Sequence, residues 1–290
     1  MKPPPFDYAR PRSLDEALAT LAAHGADARP LAGGQSLIPL LSLRLARPSL
    51  LVDLSFIPGL ASVQAENGTT VLGAMVRQRA LERDAQVAQR LPVLAEATRL
   101  VGHPPIRNRG TVGGSLAHAD PSAEYPALAL ALDAELVVRS ASGERVIPAR
   151  DFFVDLFTTA LAPGELLTAV RIPVPPPGTG WSIQEIARRH GDFALAGATV
   201  LLRKASDGTC QHAAIALFGV ATRPLRASAA EQALAGRPLT SEAIREAASL
   251  AAGWIDEPLS DVHGSAAYRR RMAEVVARRA LEEASRRAGA

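Results

Sequence analysis

Cysteine and aromatic residues are scarce in this sequence. Cys210 is the only cysteine, and Phe, Trp and Tyr together make up 4% of the chain. One thiol cannot close a disulfide within the chain, and a cysteine-held iron–sulfur cluster takes about four thiolates. With so few aromatic rings, the core has to be built from Ala, Leu and Val. No run of about 18 apolar residues is present to span a membrane. The start, MKPPPFDYARP, has no apolar stretch of the signal-peptide kind, so the expected location is the cytoplasm.

Charge of one sign is also scarce. The formal net charge is only +3, although the pI is about 9.5. Arginines cluster at 269–271, 278–279 and 286–287, but Glu274, Glu282 and Glu283 lie among them and no aromatic residues alternate with them. That pattern is expected of a solvated helix face and gives no footprint for nucleic acid. Apolar residues are 48% and charged residues 21% of the chain, as in folded proteins, and 290 residues suggest two domains or one with subdomains.

Against this background the glycines stand out. The segment LAGGQSL, Leu31 to Leu37, places Gly33 and Gly34 between two apolar runs, and TVGGSLAHADPSAE, Thr111 to Glu124, repeats a glycine pair at Gly113 and Gly114. Glycine reaches positive φ at little cost and lets a ligand approach the main chain, and successive amides in such a turn form an anion-binding hollow. Ser36, Thr111 and Ser115 add hydroxyls. Neither segment carries Gly-Lys-Ser/Thr or GxGxxG, so neither a P-loop nor a Rossmann dinucleotide site is supported. Two readings stay open on chemistry alone: ordinary turns, or two backbone cradles for a diphosphate.

Asp120-Pro121-Ser122-Ala123-Glu124 is likewise double. It has the composition of a helix start, and its carboxylates also suit ligand hydroxyls. His103, His118 and His190 show no metal-ligand spacing; His118, inside the second glycine segment, either touches a ligand or is solvated. Cys210 reads as a small core residue.

The periodicity predicts a helix after the Ser13…Glu16 capping box, closed at Gly25, then strands at 28–32 and 50–54, with a short helical turn after Ser36 broken at Pro39. Hairpins are expected around Asn67-Gly68 and Ser142-Gly143, and helices at 91–101 and 122–132. Gly102-His103-Pro104-Pro105 should stop the first of these helices. A strand at 166–174 leads to the breaker run 175–180, the expected domain boundary. Strands at 181–188, 195–204 and 210–220 and helices at 228–235, 240–254 and 265–288 follow.

Three segments occur in order: LAGGQSLIPLLSLRLARPSLLVDL from Leu31, IRNRGTVGGSLAHADPSAEYPA from Ile106, and RRHGDFALAGA from Arg188. With flanks from PFDYARPRSLDEAL to AAYRRRMAEVVARRAL, the chain closely resembles the FAD-binding medium subunits of the xanthine dehydrogenase and aerobic carbon monoxide dehydrogenase family of molybdenum hydroxylases. The resemblance implies an α+β fold. A vanillyl-alcohol-oxidase-type FAD-binding domain of two subdomains, about 1–56 and 57–174, would precede a domain at 178–290 of three antiparallel strands and a helical bundle.

It also implies FAD as cofactor. The first loop, Ala32, Gly33, Gly34, Gln35, Ser36 and Leu37, would wrap the diphosphate. Thr111, Gly113, Gly114 and Ser115 would continue around the cofactor, with Asp120 and Glu124 at the acidic positions that follow. Leu161 and Gln184 would lie near the flavin ring. Asp192 of the GDF signature, His103 and His118 complete the expected set. The implied role is electron transfer, without substrate chemistry or a metal site of its own. A large molybdopterin subunit oxidises substrate, and a small subunit with two [2Fe–2S] clusters relays electrons to the flavin, which passes them to NAD, O2, a quinone or a cytochrome. A dimer of heterotrimers is implied. The alternative is a self-contained FAD oxidoreductase with its own substrate pocket.

Overall fold

A computed structural model describes residues 2–289. The first 56 residues build a small parallel sheet. β1 (Asp7–Ala9) is followed by α1 (Leu14–His24), β2 (Ala28–Leu31), α2 (Leu37–Ser42) and β3 (Leu50–Asp53), with sheet order β1-β3-β2. The Ser13 hydroxyl accepts from the Glu16 amide as the capping box requires, while the Glu16 carboxylate reaches one residue further back, to the Arg12 amide at 2.7 Å. α1 lays Ala17, Leu18 and Leu21 on the sheet. Pro39 does not break α2. It stands in the first turn, where its missing N–H has no helical acceptor to lose.

The next unit is a five-stranded antiparallel sheet wrapped by helices. In chain order it comprises β4 (Val63–Glu66), β5 (Thr69–Gly73), α3 (Gln78–Arg83), α4 (Ala85–Arg90), α5 (Pro92–Leu100), α6 (Pro104–Arg109), α7 (Val112–His118), α8 (Glu124–Ala131), β6 (Glu135–Ser140), β7 (Gly143–Pro148), α9 (Ala149–Phe152), β8 (Phe153–Asp155), β9 (Thr158–Thr159) and β10 (Leu166–Pro173). The sheet runs β4-β5-β10-β6-β7, and β8 pairs with β9 as a separate ribbon. Both expected hairpins are present, Asn67 and Gly68 taking the positive φ that a tight two-residue turn needs.

Gly102 and His103 do end α5, but Pro104 begins α6 at once, proline being well suited to the first helical position. Buried Arg107 fixes this corner. It donates to the Val101 and Gly102 carbonyls at 3.0 and 3.1 Å and pairs with Glu82 at 2.9 Å.

The C-terminal unit is β11 (Gly180–Ala187), β12 (Ala194–Lys204), β13 (Cys210–Phe218), β14 (Leu225–Arg226), α10 (Ser228–Leu234), α11 (Ser241–Gly253) and α12 (Ala266–Arg287). Its antiparallel sheet has four strands, β14 adding a two-residue edge to the three expected. One face packs on α10–α12 through small residues such as Ala247, Ala251, Ala277 and Ala280. The other face, carrying Ile183, Leu201, Ala214 and Phe218, joins the same core as Tyr125 and Leu128 of α8, so one apolar cluster crosses the 175–180 run. Polar ties reinforce the seam: Gly219 N–H to Pro121 O at 2.7 Å, and Arg226 to Leu130 O at 2.6 Å and to Asp133 at 3.0 Å.

The arginine run on α12 is only partly a solvated face. Arg271, Arg278 and Arg286 pair with glutamates at the surface, as expected. Arg269 instead shares the inward stripe with Ala273, Val276 and Ala280 and is 3% exposed. Consecutive helical residues point about 100° apart, so three arginines in a row cannot share an environment. Among the described residues, no helix is long and apolar enough to cross a membrane.

Candidate cofactor cleft

A cleft of about 360 Å³ opens over the first glycine loop. Leu31 to Gln35 form its floor, with Ile38 and Pro39 of α2, Asp53 and Ser55 after β3, and Ile106 and Arg109 of α6 as its walls. The loop itself is the chemically distinctive part. Ile38 N–H closes the first turn of α2 on Gly34 O at 3.0 Å, but none of the backbone amides of Gly33, Gly34, Gln35, Ser36 and Leu37 meets an acceptor among the described residues. Gly34 holds φ +74, which curls the run into a nest, and Gln35 braces it by donating to Gly33 O at 3.1 Å. Ser36 caps α2 without using its hydroxyl on the helix. A run of free backbone donors beside a concavity is the kind of arrangement that can take an anionic group.

Gly33 is bare for a different reason. A Cβ there would lie 2.8 Å from Gly110 Cα and against the Arg109 carbonyl. Its missing side chain lets the loop and the α6–α7 junction touch, which is what builds the cleft wall.

The second glycine segment is not a second cradle. Val112 to Ser115 form the first turn of α7, and all four amides are engaged: Val112 with Val76 O, Gly113 with Ala74 O, Gly114 with the Thr111 hydroxyl, Ser115 with Thr111 O. Gly113 is bare because a Cβ would sit 2.7 Å from Ala74 Cα, and one on Gly114 would meet Thr111 Oγ1 at 2.7 Å and Ala32 Cβ at 3.4 Å. So α7 backs the first loop by close packing, and what it offers a ligand is the Ser115 side chain.

Beyond α7 the expected residues divide. His118 stacks on Phe157 of the β8–β9 turn with ring centroids 5.0 Å apart, and burial holds its pKa down. Asp120 accepts from Ser122 N–H at 2.9 Å in a turn ahead of α8, whose cap residue, Ala123, lends no side chain, so Asp120 is not a helix cap; burial raises its pKa. Leu161 lies half-buried on the core beside α7. His103, the cap residue of α6, packs instead against the loop after β11, its ring 6.2 Å from that of His190 and its Nδ1 2.8 Å from where a Gly191 Cβ would be. Asp192 lies exposed in that loop, at the far end of α6 from Arg109.

Gln184 is turned away. Along β11, Trp181 and Ile183 join the core shared with α8, whereas Ile186 packs towards the helical bundle and Gln184 bonds Ser182 on that same side. By the two-residue period of a strand, Glu185 faces the cofactor-binding unit. Sequence reasoning missed it, although an acid one step out of phase with Trp181 and Ile183 would have been hidden and an acid in phase with them is conspicuous.

Glu185 Oε2 is buried with no partner among the described residues. Burial pushes its pKa up to about 7. Burial, reinforced by the charge of Glu185, pushes that of Glu124 at the start of α8 up to about 8. Two acids raised in this way keep a proton in the folded chain that they lose when it unfolds. Their contribution to stability is therefore complete below the usual carboxylate range and disappears as pH rises through about 7 to 8. Urea unfolding of the FAD-free chain should show stability falling between pH 5 and 8. Glu124→Gln with Glu185→Gln should flatten that fall, and an unchanged slope in the double variant would contradict the assignment.

With this geometry established, comparison with known proteins places it. The model "FAD binding domain in molybdopterin dehydrogenase" matches residues 4–175 and "CO dehydrogenase flavoprotein C-terminal domain" matches residues 181–284. The chain is 44% identical over 288 residues to the 6-hydroxypseudooxynicotine dehydrogenase complex subunit alpha of Paenarthrobacter nicotinovorans, covering 99% of this chain and 97% of that one. It is 45% identical over 288 residues to the carbon monoxide dehydrogenase medium chain of Afipia carboxidovorans, covering 99% of each. Its fold superposes on a chain of the carbon monoxide dehydrogenase of Hydrogenophaga pseudoflava with a TM-score of 0.97 at 43% identity, covering 99% of this chain and 100% of that one. The chain belongs to the FAD-binding medium subunits of the molybdenum hydroxylases, an oxidoreductase family in which molybdopterin and iron–sulfur groups reside on partner subunits.

Proposed function

We propose that the free amides of Gly33 to Leu37 hold the diphosphate of FAD, and that through this cofactor the chain carries electrons between a cluster-bearing partner and a terminal acceptor. The observation that supports the reading is the run of five unengaged amides, Gly33 to Leu37, of which Gly33, Gly34 and Gln35 line the cleft. A cofactor with two linked phosphates suits such a run. When bound, FAD supplies one- and two-electron redox chemistry. The chain's own part is to bind and orient: the loop amides and Ser36 at the diphosphate, Ser115 from α7, and Asp120 and Glu124 as acceptors for ligand hydroxyls. Glu185 replaces Gln184 beside them, and Thr111 acts through α7, whose first turn it caps.

Relatives at similar identity are named for substrates as unlike as carbon monoxide and 6-hydroxypseudooxynicotine, which supports substrate choice being made on another subunit. Cys210 is the only cysteine, it is buried, and its thiol is pushed up by burial, so no set of cysteine ligands for a cluster is available in this sequence. On the strength of the family likeness we assign an FAD-binding unit at 1–174 and a C-terminal unit at 178–290. We further propose as partners a large molybdopterin subunit and a small [2Fe–2S] subunit in a cytoplasmic dimer of heterotrimers, with NAD, O2, a quinone or a cytochrome as acceptor, a reading the family likeness supports for the large and small subunits.

The test is reconstitution of the purified chain. One FAD per chain should be retained through gel filtration, with FMN and riboflavin lost, because neither brings a diphosphate to the loop. Retention of FMN or riboflavin as tight as that of FAD would overturn the assignment.

A further inference from the structure

Given the FAD reading above, we propose that the cleft beside the first glycine loop takes the adenosine half of the cofactor, and that Asp53 is the residue that recognises its ribose. β2 and β3 are parallel neighbours, and Leu31 and Asp53, at their C-terminal ends, are register partners. The chain leaves β2 through the glycine loop, runs along α2 and returns as β3. Leu31 and Asp53 both line the cleft, which therefore opens at the carboxyl ends of a strand–helix–strand unit. Parallel sheets bind their ligands at that edge. In nucleotide-binding units of this kind the loop after the first strand meets phosphate, and an acid about 20 residues on, at the end of the next strand, meets the ribose hydroxyls. Asp53 has that position relative to Gly33. The GxGxxG fingerprint is absent, but the arrangement it marks, amides at one strand end and a carboxylate at the next, is present. Neighbouring strands lie about 4.8 Å apart, a gap that a furanose ring bridges.

Asp53 is prepared as an acceptor. Tyr8 OH donates to its Oδ2 at 2.6 Å and Ser55 N–H to its Oδ1 at 2.9 Å. These bonds fix the carboxylate and leave each oxygen a further lone pair. Burial opposes its ionisation, but the Tyr8 and Ser55 bonds and the charge of Arg10 hold its pKa below the usual carboxylate value. Among the described residues that line the cleft, Asp53 is the single carboxylate and Arg109 the single cation. A fixed carboxylate accepts both hydroxyls of a vicinal diol and repels a phosphate at the same place.

The walls suit the base. Ile38 on α2 and Ile106 on α6 are 44% and 39% exposed, with Pro39 next to Ile38. Isoleucines left in water on two walls of a cleft gain cover from a flat ring. The riboflavin half fits this place less well. Its ribityl chain strings hydroxyls along a line and calls for several acceptors. The cleft offers one carboxylate, whereas Asp120 and Glu124 lie close enough beyond α7 to feel each other's charge.

The test uses the full chain freed of flavin. ADP should displace FAD in competition titrations followed by the fluorescence of released flavin. ADP lacking both ribose hydroxyls, 2′,3′-dideoxy-ADP, should bind about 10-fold more weakly, the loss expected for hydrogen bonds to a charged group. Asp53→Ala should lower the affinity for ADP about 10-fold without lowering that for dideoxy-ADP, whereas a merely structural role would weaken both alike. Equal affinity of the wild-type chain for the two nucleotides would overturn the proposal. So would parallel losses in the variant, or displacement of FAD by FMN and not by ADP. The wild-type comparison decides whether or not the variant folds. A wild-type chain that takes up no FAD fails the FAD reading itself, while FAD uptake without discrimination between the nucleotides fails only the placement of adenosine.

Discussion

Gly33→Val should leave a chain that retains no FAD and unfolds at markedly lower urea concentration. The new Cβ would be placed 2.8 Å from Gly110 Cα and against the Arg109 carbonyl. Those atoms are backbone at the join of α6 and α7, and the join is itself held: Gly110 N–H bonds Ile106 O at 2.7 Å, and Gly110 O accepts from Gln78 N–H at 2.9 Å. Nothing at the contact is the movable end of a side chain. The loop or the join must shift, at a cost of about 3 kcal/mol, the upper part of the range for overpacking. Either shift moves the loop amides beside the cleft, so cofactor binding and stability fall together.

Neighbouring variants separate the causes. Gly34→Ala meets only the Ile38 and Leu31 side chains, at 3.1 and 3.3 Å, and adds the penalty of φ +74, about 1–2 kcal/mol. It should weaken FAD binding without abolishing it. Gly114→Ala displaces the Thr111 hydroxyl from its cap and should cost about 1 kcal/mol. Absorbance of bound flavin and urea midpoints for the three variants would check this order, and stoichiometric FAD in Gly33→Val at wild-type stability would refute it.

The second large effect is expected at Arg269→Met. The guanidinium lies under α12 and donates to Leu195 O at 2.9 Å, Gly219 O at 2.7 Å and Asp261 at 2.7 Å. Leu195 lies in β12, one residue after its first, Ala194, and Gly219 follows β13, so one side chain ties the last helix to two strands and to the loop before it. Methionine fills much of the volume but leaves two carbonyls in an apolar setting without donors. Each buried carbonyl left without a donor costs about 1–3 kcal/mol. Asp261 is about half-exposed, so water can replace its share and Asp261→Asn should cost under about 1 kcal/mol. The urea midpoint should therefore fall several-fold more for Arg269→Met than for Asp261→Asn. Equal effects would mean that the surface pair, rather than the buried carbonyls, carries the interaction.

Much of the architecture could be read from sequence where local chemistry leaves one answer. Ser13 and Gly25 bracket α1, Asn67-Gly68 fixes a hairpin, and 11-residue β12 is apolar enough to be recognised as a buried strand. β1 has three residues, and α3 and α4 have six each, too short for a periodicity to develop, so their assignment depends on what they pack against. The second glycine segment does not look helical in the sequence because glycine is a poor helix former. Its helical state is imposed by Thr111 at the cap and by Ala74, which leaves no room for a Cβ. The same ambiguity affects Gly33, where a bare position made for a ligand and one made for a neighbouring strand of backbone look identical in sequence. Gln184 and Glu185 differ by one position, and only the sheet says which of them faces α8. Arg269 looked like its neighbours because a run of like residues says nothing about the face each one takes.

The core that runs from α8 into β11–β13 has a further consequence. Neither matched segment has a complete surface of its own along that seam. Tyr125 and Leu128 on one side and Leu201, Ala214 and Phe218 on the other are shaped to each other, with Arg226 reaching across to Leu130 and Asp133. The two segments therefore cannot drift apart as independent cassettes: a change of volume on α8 must be answered on β12 or β13. Shuffling either half with that of a distant relative would inherit a mismatched seam even if the cofactor loop were kept whole.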